Sequence, residues 1–517
     1  MAALGLLTAL LGPVTTAAAK PGNSCEKRNN NTYAKLLECV TLDGVRDHQE
    51  ALQKIADNNS DEFYPGSRAA GTEGYADSVE YVADLLRDAG YEVTLDPVEF
   101  QFNFPATLTQ LTPAPPADYE TGAFTGSGSG TVTGQVIPVD INLTPPRAST
   151  SGCEASDFDP ADFTGTADIA LVQRGACNFG DKAFFAEQAG AEAVIIFNQG
   201  DTPDREALVV ADASSRTDGT PVTHGIPVVG ASFAQGEALA EPGSTAFVEV
   251  IPSETRTDHN VIAELPGKND DNVVMAGAHL DSVQAGPGIN DNGSGSAALL
   301  ETALMLSNHK PQNTLRFGWW AAEEEGLIGS TDYVEGLSQA ERDRIALYMN
   351  YDMVGSPNYV FMVYDADTST FPAPPGITIP PGSEAIEDVY ESYYTHVGEP
   401  YDDTEFSGRS DYEAFILAGI PSGGLFTGAE EIKTPEQEAI WGGTAGEQFD
   451  PCYHEACDTL GNVALHALEV NSDLIAFAML TFAYSTESVN GVPGKKVPGP
   501  RFTLPPPAGP EGTFPTP

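Results

Sequence analysis

The residues that could do chemistry gather first between positions 273 and 301, in VVMAGAHLDSVQAGPGINDNGSGSAALLE. His279 and Asp281 stand two apart, so in extended chain their side chains point the same way. Asp291 follows a Gly-Pro-Gly loop. An imidazole with carboxylates in a glycine-rich bend offers the donors of a zinc site. Further candidates lie downstream: Glu323, Glu324 and Glu325 in AAEEEGLIGS, Asp352 in NYDMVG, and His454 in PCYHEACD. Two histidines and several carboxylates suit two Zn²⁺. A carboxylate shared by two metals must be short and central, which makes Asp291 the natural bridge. His279 and Asp352 then complete one metal, Glu324 and His454 the other. Three carboxylates against two divalent ions leave roughly +1, which a bound hydroxide would neutralise. Asp281, just behind His279, suits the outer carboxylate that fixes an imidazole.

Metal-assisted hydrolysis also needs a base that is not a ligand. Adjacent glutamates can supply one of each, because neighbours in extended chain point opposite ways. Glu323 then faces the water while Glu324 turns to the metal. Three glutamates in a row leave that register open by one. Glu325 reads as part of a solvated acidic turn.

The elements that must hold these residues follow from periodicity. VVMAGA is a short apolar run bounded by turn residues, which predicts a buried strand ending at His279. NGSGS opens a helix with Ala297, Leu299, Leu300, Ala303, Leu304 and Leu306 as its apolar content. One His and two Asp thus sit at the carboxyl end of a strand and the start of a helix, where open α/β sheets keep their sites. TLRFGWW and IALYMNYDMVG read as further strands leading to the glutamates and to Asp352, and PSGGLF as a short strand. GRSDYEAFILAGI reads as helical, and NVALHALEVNSDLIAFAMLTFAYS as a final helix. Upstream, VRDHQEALQKIADN and GYADSVEYVADLLRDAGYEV are helical and joined by the link SRAAGTEGY, where no catalytic constellation is visible. The second helix ends at Gly90 and turns into the strand YEVTLDPVEFQF.

Composition shifts near residue 105 into Pro- and Gly-rich text. TADIALVQRGACNFGDKAFFAEQAGAEAVIIFNQ then reads as strand, turn, helix, strand, and GIPVVGASFAQGEALAE repeats the pattern. From about 486 the text is again rich in Pro and Gly, and a disordered or cleavable tail is expected over 486–517.

The chain has 517 residues, enough for two or three domains. Its 24 Lys+Arg against 75 Asp+Glu give a net charge of −51. So acidic a surface repels nucleic acid and anionic membranes. It suits either a protein adapted to high salt or an acidic exoenzyme without that adaptation. Residues 1–19 read as a signal peptide ending in Ala17-x-Ala19, so a secreted, extracellular protein is expected, as a monomer. No later run of 18 or more apolar residues signals an anchor. Six cysteines fit that compartment and fall into local pairs: Cys25 with Cys39, Cys153 with Cys177, Cys452 with Cys457. The last pair would hold Tyr453 and His454 in a tight loop.

Two resemblances emerge from these motifs. ALVQRGACNF and AEQAGAEAVIIFN resemble the protease-associated domain, a non-catalytic insertion in peptidases and receptors. GAHLDSV, GINDNGSGSAALLE, AAEEEGLIGS, NYDMVGS, GRSDY, GLFTGAE and CYHEACD, in that order, resemble the secreted bacterial di-zinc aminopeptidases of leucyl-aminopeptidase type. The resemblance implies an α/β fold with a mixed central sheet flanked by helices on both faces. The peptidase parts would be residues 20–109 and 253–485, with the protease-associated domain at 110–252. It implies metal ligands His279, Asp291, Glu324, Asp352 and His454, and it sets the register with Glu323 as base. Tyr453 would steady the oxyanion, and Arg409 and Phe426 would line the substrate pocket. The substrate would be peptide N-termini with large hydrophobic residues, and the cofactor two Zn²⁺ per chain. Calcium is left open, because no site for it is legible. Three alternatives stand beside this reading: a carboxypeptidase with Arg409 as carboxylate anchor, a one-zinc glutaminyl-cyclase-like enzyme, and a non-catalytic binding ectodomain.

Overall fold

The computed structural model describes residues 25–513 apart from 114, 160, 162 and 166. The expected signal peptide lies outside the described residues. The described residues divide into two compact units, one within 25–100 and 257–513 and one within 101–256.

The first unit is built on an eight-stranded mixed sheet. Its strands run in the order Glu92–Phe102, Glu254–Leu265, Asn313–Trp320, Asn269–His279, Ile345–Tyr351, Ser422–Phe426, Met362–Tyr364 and Asp402–Thr404. The central four are parallel, and the register pairs His279 with Trp320 and Gly277 with Asn350. Their carboxyl ends therefore lie side by side, and three of them, Asn269–His279, Asn313–Trp320 and Ile345–Tyr351, lead at once to a candidate donor. These strands are apolar throughout because both faces are covered. Val274, Ala276 and Ala278 join a core with the helices Gly293–Leu306 and Leu465–Tyr484. Met275, Trp320 and Tyr348 face a second core with the helix Tyr412–Leu417. Gly277 is forced by that second face: a Cβ there would stand 2.5 Å from both Trp320 Nε1 and Tyr348 Oη. By length and composition Leu465–Tyr484 could cross a membrane, but most of its residues are buried in the core of this unit.

The two N-terminal helices form as their periodicity predicts, over Leu42–Asn58 and Glu73–Ala89. Gly90 ends the second at φ 95°, the left-handed cap that glycine adopts without steric cost. The helix Ser383–Val397 has no counterpart in the sequence reading. Its buried face carries Tyr390, Tyr393 and Tyr394 together with Glu387 and Glu391, so it lacks an aliphatic stripe.

The second unit holds a seven-stranded sheet with an apolar core on each face. Its outer boundaries correct the expected 110–252. Thr107–Thr112 pairs antiparallel with Thr245–Val250, so the residues just before 110 belong to this sheet and not to the peptidase part. The expectation of a disordered tail is corrected as well. Phe502 packs at tilted and edge-to-face angles against Tyr33, His396 and Phe477, at 4.9–5.7 Å between ring centres. Gly509 N donates to Tyr401 Oη at 2.9 Å, and Gly512 N to Asp402 Oδ1 at 2.8 Å. Sparse apolar anchors in stiff Pro-rich chain suffice to hold such a segment. The six cysteines form three disulfides, Cys25–Cys39, Cys153–Cys177 and Cys452–Cys457.

Candidate metal centre and active site

His279, Asp291, Glu324, Asp352 and His454 converge at the carboxyl ends of the central strands. His279, Asp291 and Asp352 each bring one donor atom within 4.8 Å of the others, and Asp291, Glu324 and His454 do the same. The two groups share Asp291, whose Oδ1 lies 3.2 Å from His279 Nε2 and whose Oδ2 lies 3.4 Å from His454 Nε2. His279 Nε2 is also 3.3 Å from Asp352 Oδ1, and His454 Nε2 is 3.1 Å from Glu324 Oε2. Glu323 joins a third such group with His279 and Glu324. The two glutamates lie in a tight turn, not in the extended chain expected from the sequence. The turn is set by Ala322 at φ 52°. Glu325 is half-buried and accepts from Gln284 Nε2 at 2.5 Å.

The donors fit divalent metal. Glu324 Oε1 and Asp352 Oδ1 are buried oxygens without a hydrogen-bond partner among the described residues, and both belong to the convergent groups. Negative charge is crowded here. Burial pushes Glu324 up to about 7 and Glu323 well above the carboxylate range. Burial alone would lower His454, but Asp291 and Glu324 raise it to about 10. Burial would likewise lower His279, yet Asp352 and Glu323 raise it well above its ordinary value. Imidazole and carboxylate donors in such a field are what a zinc-type cation requires.

Asp281 does more than the sequence implied. Its carboxylate lies 3.6 Å from His279 Nδ1 and also accepts the backbone N–H groups of Glu323 and Glu324, each at 3.2 Å. Asp281 thus holds the first histidine, whose Nδ1 also lies 3.2 Å from the Asp281 backbone carbonyl, and the glutamate turn together. Three supports were missed in the sequence. Arg68, wholly buried in the supposed link SRAAGTEGY, donates to the carbonyls of Leu280, Pro287 and Gly288 and so clamps the loop before Asp291. Asp458 accepts from Asn290 N at 2.8 Å and Asp291 N at 2.9 Å. Ser410 Oγ donates to Asp352 Oδ2 at 2.6 Å. Their partners lie far apart in sequence; Ser410 and Asp458 stand inside the motifs GRSDY and CYHEACD, and Arg68 is the one cation of its segment, but nothing local showed what they hold.

Tyr453 Oη accepts from Arg409 Nη2 at 3.2 Å, and Arg409 Nη1 pairs with Glu430 at 2.8 Å. Both residues line a cavity of about 500 Å³ that opens onto Asp291, Glu323, Glu324 and Asp352. Phe426 lines it, with Met362, Phe371 and Phe449. Arg409 is therefore committed to a tyrosine and a glutamate. Left-handed backbone clusters at the site, at Ala322 (φ 52°), Met353 (φ 47°) and His454 (φ 58°). Strain of this kind persists only where surroundings impose it, and around His454 the surroundings are the Cys452–Cys457 loop. Replacing both cysteines by serine should lower kcat/KM about 10–100-fold, in line with the loss of an outer support of a metal ligand. Unchanged activity and metal content in that variant would show that the loop holds His454 without the bond.

A mixed α/β sheet with imidazole and carboxylate donors at its strand ends and an adjoining half-apolar cavity defines a metal-dependent hydrolase. Residues 260–479 match the model of peptidase family M28, and residues 132–239 match the PA domain. An aminopeptidase of Pseudomonas aeruginosa is 45% identical over 469 residues, 89% of this chain and 84% of that protein. A probable leucine aminopeptidase 2 of Aspergillus fumigatus is 40% identical over 431 residues, 82% of this chain and 80% of that protein. Among solved structures, BSAP, a zinc aminopeptidase from Bacillus subtilis, matches with a TM-score of 0.60 at 26% identity, covering 85% of this chain and 94% of that one. An aminopeptidase from Aneurinibacillus sp. strain AM-1 matches with a TM-score of 0.57 at 27% identity, covering 86% and 95%. The chain belongs to peptidase family M28 and is an aminopeptidase. The carboxypeptidase, cyclase and binding-ectodomain alternatives fall away with that finding.

Proposed function

We propose that this aminopeptidase works with two Zn²⁺, one held by His279, Asp291 and Asp352 and the other by Asp291, Glu324 and His454. The observation that supports this most is the pair of three-residue donor groups sharing Asp291. When bound, such a pair supplies an acidified water and polarises the scissile carbonyl. The remaining tasks fall to the chain. Glu323 takes the proton of the attacking water and passes it to the leaving amine. Asp281 keeps His279 and the Glu323–Glu324 turn in place through the contacts above. Tyr453 donates its hydroxyl to the developing oxyanion, and Arg409 positions that hydroxyl. Asp352 and Glu323 contribute the negative field that holds the free α-ammonium, which limits cleavage to one residue at a time. The apolar side of the cavity, with Met362, Phe371, Phe426 and Phe449, suits a large hydrophobic N-terminal residue. Three disulfides and the leader-like start of the sequence support secretion.

The test is a comparison of leucyl-p-nitroanilide with N-acetyl-leucyl-p-nitroanilide, alongside elemental analysis of the dialysed protein. Hydrolysis confined to the free amine, with about two zinc ions per chain as five donors of these types would bind, is the expected result. One zinc or none, or equal cleavage of the blocked substrate, would overturn the reading.

A further inference from the structure

Five carboxylates gather behind the substrate cavity and take no part in the chemistry above. Asp365, Asp367 and Glu387 each bring an oxygen within 4.8 Å of the others, and so do Glu387, Glu391 and Asp403. Glu387 is common to both groups. It stands one turn before Glu391 on the helix Ser383–Val397, so both reach out from one face. Asp403 lies on the strand Asp402–Thr404, which pairs in parallel with Met362–Tyr364, just before Asp365. All but Asp367 are buried. No ion pair to any of the five occurs among the described residues, although arginines pair with carboxylates elsewhere in the chain.

Like charges at this spacing need a cation or a proton. A separate observation points to a ligand. Asp403 has no exposed surface, and its Oδ1 has no hydrogen-bond partner among the described residues. Its other oxygen is served by Ser369 Oγ at 3.4 Å and by Thr370 Oγ1. The charged neighbours of this carboxylate are Asp365, Asp402, Glu387 and Glu391, which carry no proton donor when ionised. An oxygen so placed lacks both water and a donor, and a cation would satisfy it. The donor chemistry selects the kind of cation. Asp365, Asp367 and Ser369 put oxygen-bearing side chains at alternate positions of one loop, and no imidazole or thiol is near. Oxygen-only, carboxylate-rich surroundings of irregular shape suit Ca²⁺ more than Zn²⁺, or than Mg²⁺ with its strict octahedron.

We propose that Glu387, Glu391 and Asp403 bind one Ca²⁺ per chain, at a site separate from the zinc ligands, with Asp365 and Asp367 adjoining it through Glu387. In the absence of a cation, burial together with the neighbouring carboxylates pushes Glu387 up to about 9, Glu391 to about 7 and, with burial again the main cause, Asp403 to about 6. Protons then occupy the place that Ca²⁺ would take. The site bears on the substrate cavity, because Phe371, Asp403 and Thr404 line it. Phe371 is also held by its N–H to Asp365 Oδ2 at 2.5 Å. Cation binding would therefore brace the wall against which the N-terminal side chain packs.

The test uses the full-length, zinc-loaded enzyme stripped of calcium, with zinc content measured before and after. Calorimetric titration with Ca²⁺ alone should show about one site per chain, with a Kd near or below the 10⁻⁴–10⁻³ M typical of extracellular calcium modules. The melting temperature should rise with Ca²⁺. Glu387→Gln should weaken binding about tenfold or more, since affinity follows ligand charge, while its zinc content stays at the wild-type level. Glu391→Gln provides the same readout should Glu387→Gln not fold. Absence of binding at millimolar Ca²⁺, an equal response in wild type and both variants, or a response to Mg²⁺ but not to Ca²⁺ would overturn the proposal. None of these results would touch the aminopeptidase reading, which the zinc count and the blocked substrate decide.

Discussion

Glu323→Gln should keep its zinc and lose most of its turnover, while Glu324→Gln should lose zinc. Both substitutions preserve size and shape. They differ in which carboxylate they remove. Glu324 Oε2 lies 3.1 Å from His454 Nε2, in the group that includes Asp291. Glu323 groups with His279 and Glu324 and, with Glu324, lines the cavity, where a base facing the attacking water must be. A positioned general base contributes about 10²–10⁴-fold, so kcat of Glu323→Gln should fall by that factor with KM little changed. Elemental analysis of both variants checks the assignment. Zinc loss in Glu323→Gln together with normal zinc in Glu324→Gln would move the register by one residue. Near-wild-type turnover in Glu323→Gln would remove the base from this turn altogether.

The same glutamates show where sequence reading stops. Spacing placed them after a strand, and the strand Asn313–Trp320 does end just before them. The reasoning that adjacent side chains point oppositely assumed extended chain. The left-handed Ala322 instead makes a bend there, pinned from below by Asp281. His279, Glu324 and Asp352 were legible because each ends or closely follows an apolar strand, and parallel strands bring their ends together whatever the loops do, whereas His454 follows the helix Pro435–Trp441 and was marked only by its local motif. The supports were not. Arg68 and Asp458 act on the 280–291 loop from positions more than 160 residues away from it, and nothing local marks such a contact. The helix Ser383–Val397 escaped because tyrosines and glutamates, which usually face water, form much of its buried side. The Asp365-x-Asp367-x-Ser369 spacing was the one signal available for the second carboxylate cluster. It became meaningful only when the fold brought Glu387, Glu391 and Asp403 to the same place.

Asp291→Ala should be the most damaging single change in the protein. Each of the other donors belongs to one of the two sharing groups, whereas Asp291 contributes an oxygen to both. Its two oxygens divide cleanly, Oδ1 toward His279 and Oδ2 toward His454. Burial alone would raise its pKa, but hydrogen bonds from the two histidines hold it below the ordinary carboxylate range, so it is anionic wherever the enzyme works. Removing it takes away the one carboxylate common to both donor groups. The variant should therefore bind less than one zinc per chain and lose the metal-generated nucleophile. Metal activation is worth several kcal/mol of barrier, so kcat/KM should fall by about 10³-fold or more. Asp458→Asn provides the contrast. It keeps the Asp291 carboxylate and disturbs only the acceptor of the Asn290 and Asp291 N–H groups, so the loss should be nearer the 10–100-fold of an outer support. If Asp291→Ala retains two zinc ions, or if it and Asp458→Asn lose activity equally, Asp291 does not bridge, and its carboxylate serves the loop more than the metals.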